Sequence, residues 1–166
     1  MSTVNDYTQD QVEKMMAAPM LVSMYIMGSS LSGPVGLVKE MMSGVETAMK
    51  VAKESAPDSV LHTLFSEENM KAQQNKMQQE TKESTAGAQN MDQAKAKMLQ
   101  DVKGAVAILE SKGSPDEVQD YKKLIVSVAE NVANAAKEGG FMGMGGTIVN
   151  DAEKTAIAEI KTALGQ

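Results

Sequence analysis

Met16, Met20, Met24 and Met27 stand at intervals of four, four and three residues. A helix through them carries four thioethers on one face. Such a face has three chemical uses. Soft thioether sulfur can ligate Cu(I), a flexible and polarizable methionine surface can mould itself to the apolar side of a partner helix, or the same side chains can simply fill a core. The chain has 15 methionines along its length, so core filling is their ordinary use. The face from Met16 to Met27 is therefore read first as core and, as a functional candidate, as a partner-binding surface, with no metal expected there.

A second stretch gathers Gly139, Gly140, Gly143, Gly145 and Gly146 within eight residues, around Phe141, Met142 and Met144. From Gly140 to Thr147 it follows the phosphate-loop pattern Gly-x-x-x-x-Gly-Lys-Ser/Thr, except that Gly146 occupies the lysine position. That lysine is the charge that meets the outer phosphates. The pattern also needs a strand before the loop and a helix at its end, whereas here helical sequence precedes it and the next helix signal waits until Asn150. The stretch reads instead as a hinge, in which Gly139 or Gly140 ends one helix and Phe141 plugs the bundle. An enzyme or nucleotide-handling protein using residues 139–146 is the alternative function.

Other groups offer less. His62 is the one imidazole, and Ser59 stands where a di-iron bundle would need the glutamate of a Glu-x-x-His pair. Glu67-Glu68 and Asp116-Glu117 fall at helix starts, where the helix dipole favours negative charge. The 16 cations are all lysine, against 22 carboxylates and a net charge of −6. An acidic chain without arginine is a poor match for nucleic acid. With no cysteine, disulfides, thiolate metal sites and thiol nucleophiles are excluded. No cofactor is expected. The opening residues lack the basic region of a signal peptide, and the most apolar segment, residues 15–27, is short of the roughly 20 residues that span a bilayer. No helix joins an apolar face to a lysine-rich one. The expectation is a soluble, cytoplasmic protein.

The elements that position these residues are helical. Thr8 and Gln11 form a capping box; Pro19 should break or kink the helix near Ala18, leaving a second apolar piece over residues 20–28. Pro34 suits a first helical position. After it Val38, Met41, Met42, Val45, Met49 and Ala52 recur as one buried face. Ala56-Pro57 stops that helix, and Asp58 or Ser59 caps a short one bearing Leu61, Leu64 and Phe65. Residues 66–90 are polar, with Met70 and Met77 as the large apolar exceptions, and read as a frayed helix or a mobile segment. Asn90 with Gln93 starts a helix striped by Met98, Val102, Ala105 and Leu109. Ser114-Pro115-Asp116-Glu117 starts another, whose stripe runs Val118, Tyr121, Ile125, Val128, Val132 and Ala135. Asn150 with Glu153 caps a last helix carrying Ile157, Ile160 and Leu164. No strand alternation appears. The expected fold is all-α: a single domain over residues 1–166, a bundle of five to seven helices with the first interrupted at Pro19 and a glycine-rich loop before the last.

The run Ala135-Ala136-Lys137-Glu138-Gly139-Gly140-Phe141, with Asp151-Ala152-Glu153-Lys154 beyond it, resembles the C-terminal signature of a family of small bacterial helical proteins. The resemblance covers residues 121–164 and, more loosely, Ala17-Ala18-Pro19-Met20-Leu21-Val22. It implies a small soluble helical domain and brings no activity with it. A fainter resemblance is to tellurite-resistance-type helical domains. Their acidic metal-binding positions have no counterpart in Ser29-Ser30-Leu31-Ser32-Gly33, so that likeness implies architecture and no metal site. The function expected is a non-enzymatic binding or structural module, open to a protein partner or to self-association.

Overall fold

Capping chemistry written into the sequence decides where the helices start. In the computed structural model, which describes residues 2–29, 34–137 and 151–166, Thr8 Oγ1 accepts from the Gln11 amide at 3.3 Å while Gln11 Oε1 accepts from the Thr8 amide at 3.0 Å. This closes the expected box at the head of α1 (Gln9–Met27). Helix α2 (Pro34–Glu54) begins on its proline. Ser59 caps α3 (Val60–Leu64), Ser66 caps α4 (Glu67–Thr85) and Asn90 caps α5 (Met91–Glu110), each side chain accepting from the amide three residues on. α6 (Pro115–Lys137) and α7 (Asp151–Ala163) complete the bundle. No strand occurs among the described residues, and none of their helices is long and apolar enough to cross a membrane.

Two helices make the centre. α6 buries Tyr121, Leu124, Ile125, Val128 and Val132 completely, each contributing about 1.5–3 kcal/mol by leaving water. α1 is enclosed by α2, α4, α5 and α6, which explains why it is apolar nearly all round rather than along one stripe. Met98, Val102, Ala105 and Leu109 of α5 are buried as their spacing predicts, as are Ile160 and Leu164 at the C-terminal end.

α1 does not break at Pro19; it runs unbroken from Gln9 to Met27. Proline lacks the amide that would bond the carbonyl four residues earlier, here that of Met15. The Tyr121 hydroxyl, fully buried on α6, donates to that carbonyl at 2.6 Å. A side chain 106 positions away thus supplies the missing donor, and the helix continues. Burial holds the Tyr121 hydroxyl well above the ordinary phenol range, so it stays protonated and able to donate.

The buried face of α2 also differs from the expected stripe. Met41 and Met42 are 46% and 57% exposed, while Gly44, Thr47, Ala48 and Ala52 face inward. Small residues bring α2 close to its neighbours: a Cβ on Gly44 would lie 2.2 Å from Ser23 Oγ of α1 and 3.3 Å from Val132 of α6. Ser23 is fixed there because its hydroxyl donates to the Pro19 carbonyl at 2.9 Å.

Residues 66–90 hold a full helix, α4, despite their polarity. It is anchored by Met77, Thr81 and Ser84, which are buried. At the front of the chain the Ser2 amide donates to both oxygens of Glu117, at 3.0 and 3.1 Å, and the Ser114 amide adds a third bond at 2.8 Å. Glu117 is 4% exposed. Burial works against its charge, but these amides and the hydroxyls of Ser114 and Ser2 hold its carboxyl below the ordinary range.

Candidate functional site

The methionine face turns toward a cleft whose other walls come from distant parts of the chain. Met16 is buried, whereas Met20, Met24 and Met27 are half-buried. Facing them are Met41 of α2 and Met70 and Met77 of α4, with Gly44, Ala48 and Phe65 among the remaining lining residues. Among the described residues, seven thioethers therefore meet around one space. Its internal volume is about 10 Å³, barely enough for one water, because the flexible side chains fill it themselves. The continuous Met41–Met42 pair projects from its rim into solvent.

The sulfurs of Met16 and Met20 have polar neighbours. Asn69 Nδ2 lies 3.3 Å from Met16 Sδ and 3.0 Å from the Leu64 carbonyl, so its two hydrogens are both used. The Thr81 hydroxyl lies 2.7 Å from the Met77 carbonyl and 3.1 Å from Met20 Sδ. Its single hydrogen goes to the stronger acceptor, the carbonyl, leaving a weaker contact with the sulfur. Met24, Met41 and Met70 are the adaptable part of the lining.

Among the described residues, none that lines this cleft is ionisable. What it can do is reshape: unbranched thioether side chains repack against an incoming apolar surface at small rotamer cost. The sequence placed four of the seven methionines on one helix face. It could not show Met41, Met70 and Met77 joining them, because that depends on how α2 and α4 fold back on α1.

The glycine-rich candidates Gly139, Gly140, Phe141, Gly143, Gly145 and Gly146 lie outside the described residues. His62 is structural: its Nδ1 is 3.0 Å from the Ala52 carbonyl, and since a carbonyl only accepts, Nδ1 carries the hydrogen. Among the described residues no group of three or more histidines and carboxylates is gathered to hold a metal ion. A separate polar cluster clasps α1, α5 and α7. The Tyr25 hydroxyl donates to Glu159 at 2.6 Å, Lys95 Nζ sits 4.4 Å from the Tyr25 ring centre, and Lys95 also donates to Ser29 at 2.8 Å. Burial, then the hydrogen bond and charge of Glu159, push the Tyr25 hydroxyl upward. Every member of that cluster is partnered. Comparison of the chain with protein-family models, with curated proteins and with solved structures finds no match.

Proposed function

We propose that this protein is a non-enzymatic binding module, and that its contact surface is the methionine cleft, which takes the apolar face of a helix from a protein partner. The observation that carries this reading is the convergence of Met16, Met20, Met24, Met27, Met41, Met70 and Met77 on one cleft that is continuous with exposed Met41 and Met42. A core alone needs no such concentration of its most adaptable side chain at the surface end of a groove, and an amphipathic helix laid in an apolar groove is a recurrent mode of recognition. The described lining residues offer contact area without charge, so the partner's buried positions should be aliphatic or aromatic. The resemblance of residues 121–164 to small helical proteins is compatible with such a module.

The test is co-purification of the full chain from its native cell with wild type and with Met24→Glu/Met41→Glu. Met41 is 46% exposed but Met24 is half-buried against the core, so Met41→Glu/Met42→Glu, at two exposed positions, is the companion variant expected to keep its helical signal and melting temperature. A partner that follows wild type and is lost from the variant supports the reading. A set of bound proteins identical for both would place the contact surface elsewhere.

A further inference from the structure

Among the described residues, Met41, Met42 and Met91 are the exposed methionines, at 46%, 57% and 55%. Oxidation of a thioether follows its access to solvent, so these side chains meet a soluble oxidant first. Of the three, Met41 alone also lines the methionine cleft. Met42 stands beside it, and Met91 opens α5.

The cleft has no place for an oxygen atom on the Met41 sulfur. The space left between its side chains is about 10 Å³. Ser23 supplies the one hydroxyl among the described lining residues, and its hydrogen is spent on the Pro19 carbonyl at 2.9 Å. The nearby donors are committed as well: Asn69 to the Leu64 carbonyl and the Met16 sulfur, and Thr81 to the Met77 carbonyl. Along α1, α2 and α4 the backbone amides are bonded within their helices. A sulfoxide oxygen is a strong acceptor, and held in this lining it would carry the cost of a buried group without a donor.

Water offers that donor, and Met41 can reach it. Its side chain already lies half in solvent and is unbranched, so rotation carries the sulfur out of the lining at small cost. The rest of the lining is shielded. Met16 and Met77 are buried, and Met20, Met24 and Met70 are half-buried, so the oxidant meets the rim before the interior.

We propose that Met41 is a reversible oxidation site that controls the methionine cleft, its sulfoxide turning out to solvent and taking the apolar rim of the cleft with it. The oxidant is a hydroperoxide. A lone pair of Met41 Sδ attacks one peroxide oxygen, the S–O bond forms as the O–O bond breaks, and the sulfur gives two electrons to the peroxide; with hydrogen peroxide the other oxygen leaves as water. A dithiol, acting through the two epimer-specific sulfoxide reductases, returns the thioether and is itself oxidised to a disulfide, with the oxygen lost as water. That the oxidised cleft releases a partner helix rests on the helix-binding role proposed for it, since oxidation of a methionine-rich contact surface makes it polar.

The experiment exposes the full chain, labelled with ¹³C at its methionine methyls, to hydrogen peroxide and follows it by methyl spectra and peptide mass spectrometry. Met41 should convert about tenfold or more faster than buried Met16 and Met77, in step with Met42 and Met91. As it converts, the methyl signals of Met20, Met24 and Met70 should move while that of Met98, buried on α5 outside the described lining, stays in place; the two reductases with a dithiol should bring them back. Met41→Leu keeps an apolar side chain of similar volume and should hold those signals still under peroxide, although Met42 and Met91 oxidise as before. Met41→Gln, polar and inert to peroxide, should displace them without it. The proposal is overturned if Met41 oxidises no faster than Met16, if its conversion leaves the three cleft signals in place, or if Met41→Leu responds as wild type does. These measurements use the isolated chain, so they decide the oxidation site whether or not a partner is captured. Release is read separately by repeating the co-purification after peroxide: the partner should be lost from wild type and kept by Met41→Leu/Met42→Leu, and a partner kept by oxidised wild type contradicts release.

Discussion

Removing one oxygen atom tests why α1 survives its proline. In Tyr121→Phe the ring stays and the hydroxyl that donates to Met15 at 2.6 Å is lost. The Met15 carbonyl then has neither a helical amide, because residue 19 is proline, nor a side-chain donor. A buried acceptor left unmatched costs about 1–3 kcal/mol, which for a domain of this size is a melting shift of about 2–4 °C for each kcal/mol. Pro19→Ala changes the reference, since alanine at that position brings an amide that can bond Met15 within the helix. In that background the tyrosine hydroxyl is no longer the carbonyl's necessary partner. The cost of Tyr121→Phe should therefore fall by about 1 kcal/mol or more when Pro19→Ala is present, well above the few tenths expected of independent sites. Urea unfolding of the wild type, both single variants and the double variant, followed by far-ultraviolet circular dichroism, measures this coupling directly. Equal costs of Tyr121→Phe in the two backgrounds would refute the argument and leave the continuity of α1 without this explanation.

Gly44→Ala should destabilise the domain by about 1–3 kcal/mol through overpacking, because the new Cβ would stand 2.2 Å from Ser23 Oγ; Ser23→Ala should recover part of that loss in thermal unfolding, and no recovery would place the strain elsewhere. Glu117 has a lowered carboxyl in the folded state, so its contribution is full above the ordinary carboxylate range and is lost as pH falls through the lowered folded value. Glu117→Gln should thus cost about 1–3 kcal/mol near neutral pH and flatten the acid limb of the stability profile, whereas an unchanged acid limb would remove Glu117 from its origin. Because Gly146 replaces the phosphate-loop lysine, millimolar ATP or GTP should leave the melting temperature unchanged; a ligand at 100 times its dissociation constant would add about 2.7 kcal/mol, so a clear rise would show nucleotide binding.

Helix starts were legible because a cap is a local signal: Thr8 with Gln11, Asn90 with Gln93, and Ser114 with Glu117 each sit within a few residues of the amides they satisfy. The core stripe of α6 was equally readable, since its large side chains repeat at helical spacing. The break expected at Pro19 does not occur, because the donor that offsets the missing amide lies on another helix. α2 was misread by weight of hydrophobicity: Met41 and Met42 outrank Gly44, Thr47 and Ala48 in a periodicity count, yet close approach to Ser23 and Val132 selects the small residues. α4 was underestimated because its buried positions are one methionine and two hydroxyl residues. Part of the methionine cleft was visible on α1, and the rest required knowing which helices fold over it.

If a partner helix lies in the methionine cleft, a photo-crosslinking residue at position 42 captures it most directly. Met42 is 57% exposed at the rim; Lys103, exposed on α5, provides the control position. Irradiation in the native cell should give a crosslink from position 42 to an apolar helical segment of another protein and none from position 103, with the crosslink lost when Met24→Glu is added. Equal crosslinking from both positions, or a position-42 crosslink indifferent to Met24→Glu, would contradict the account, and a crosslink to a second copy of this chain would make the cleft a self-association surface instead.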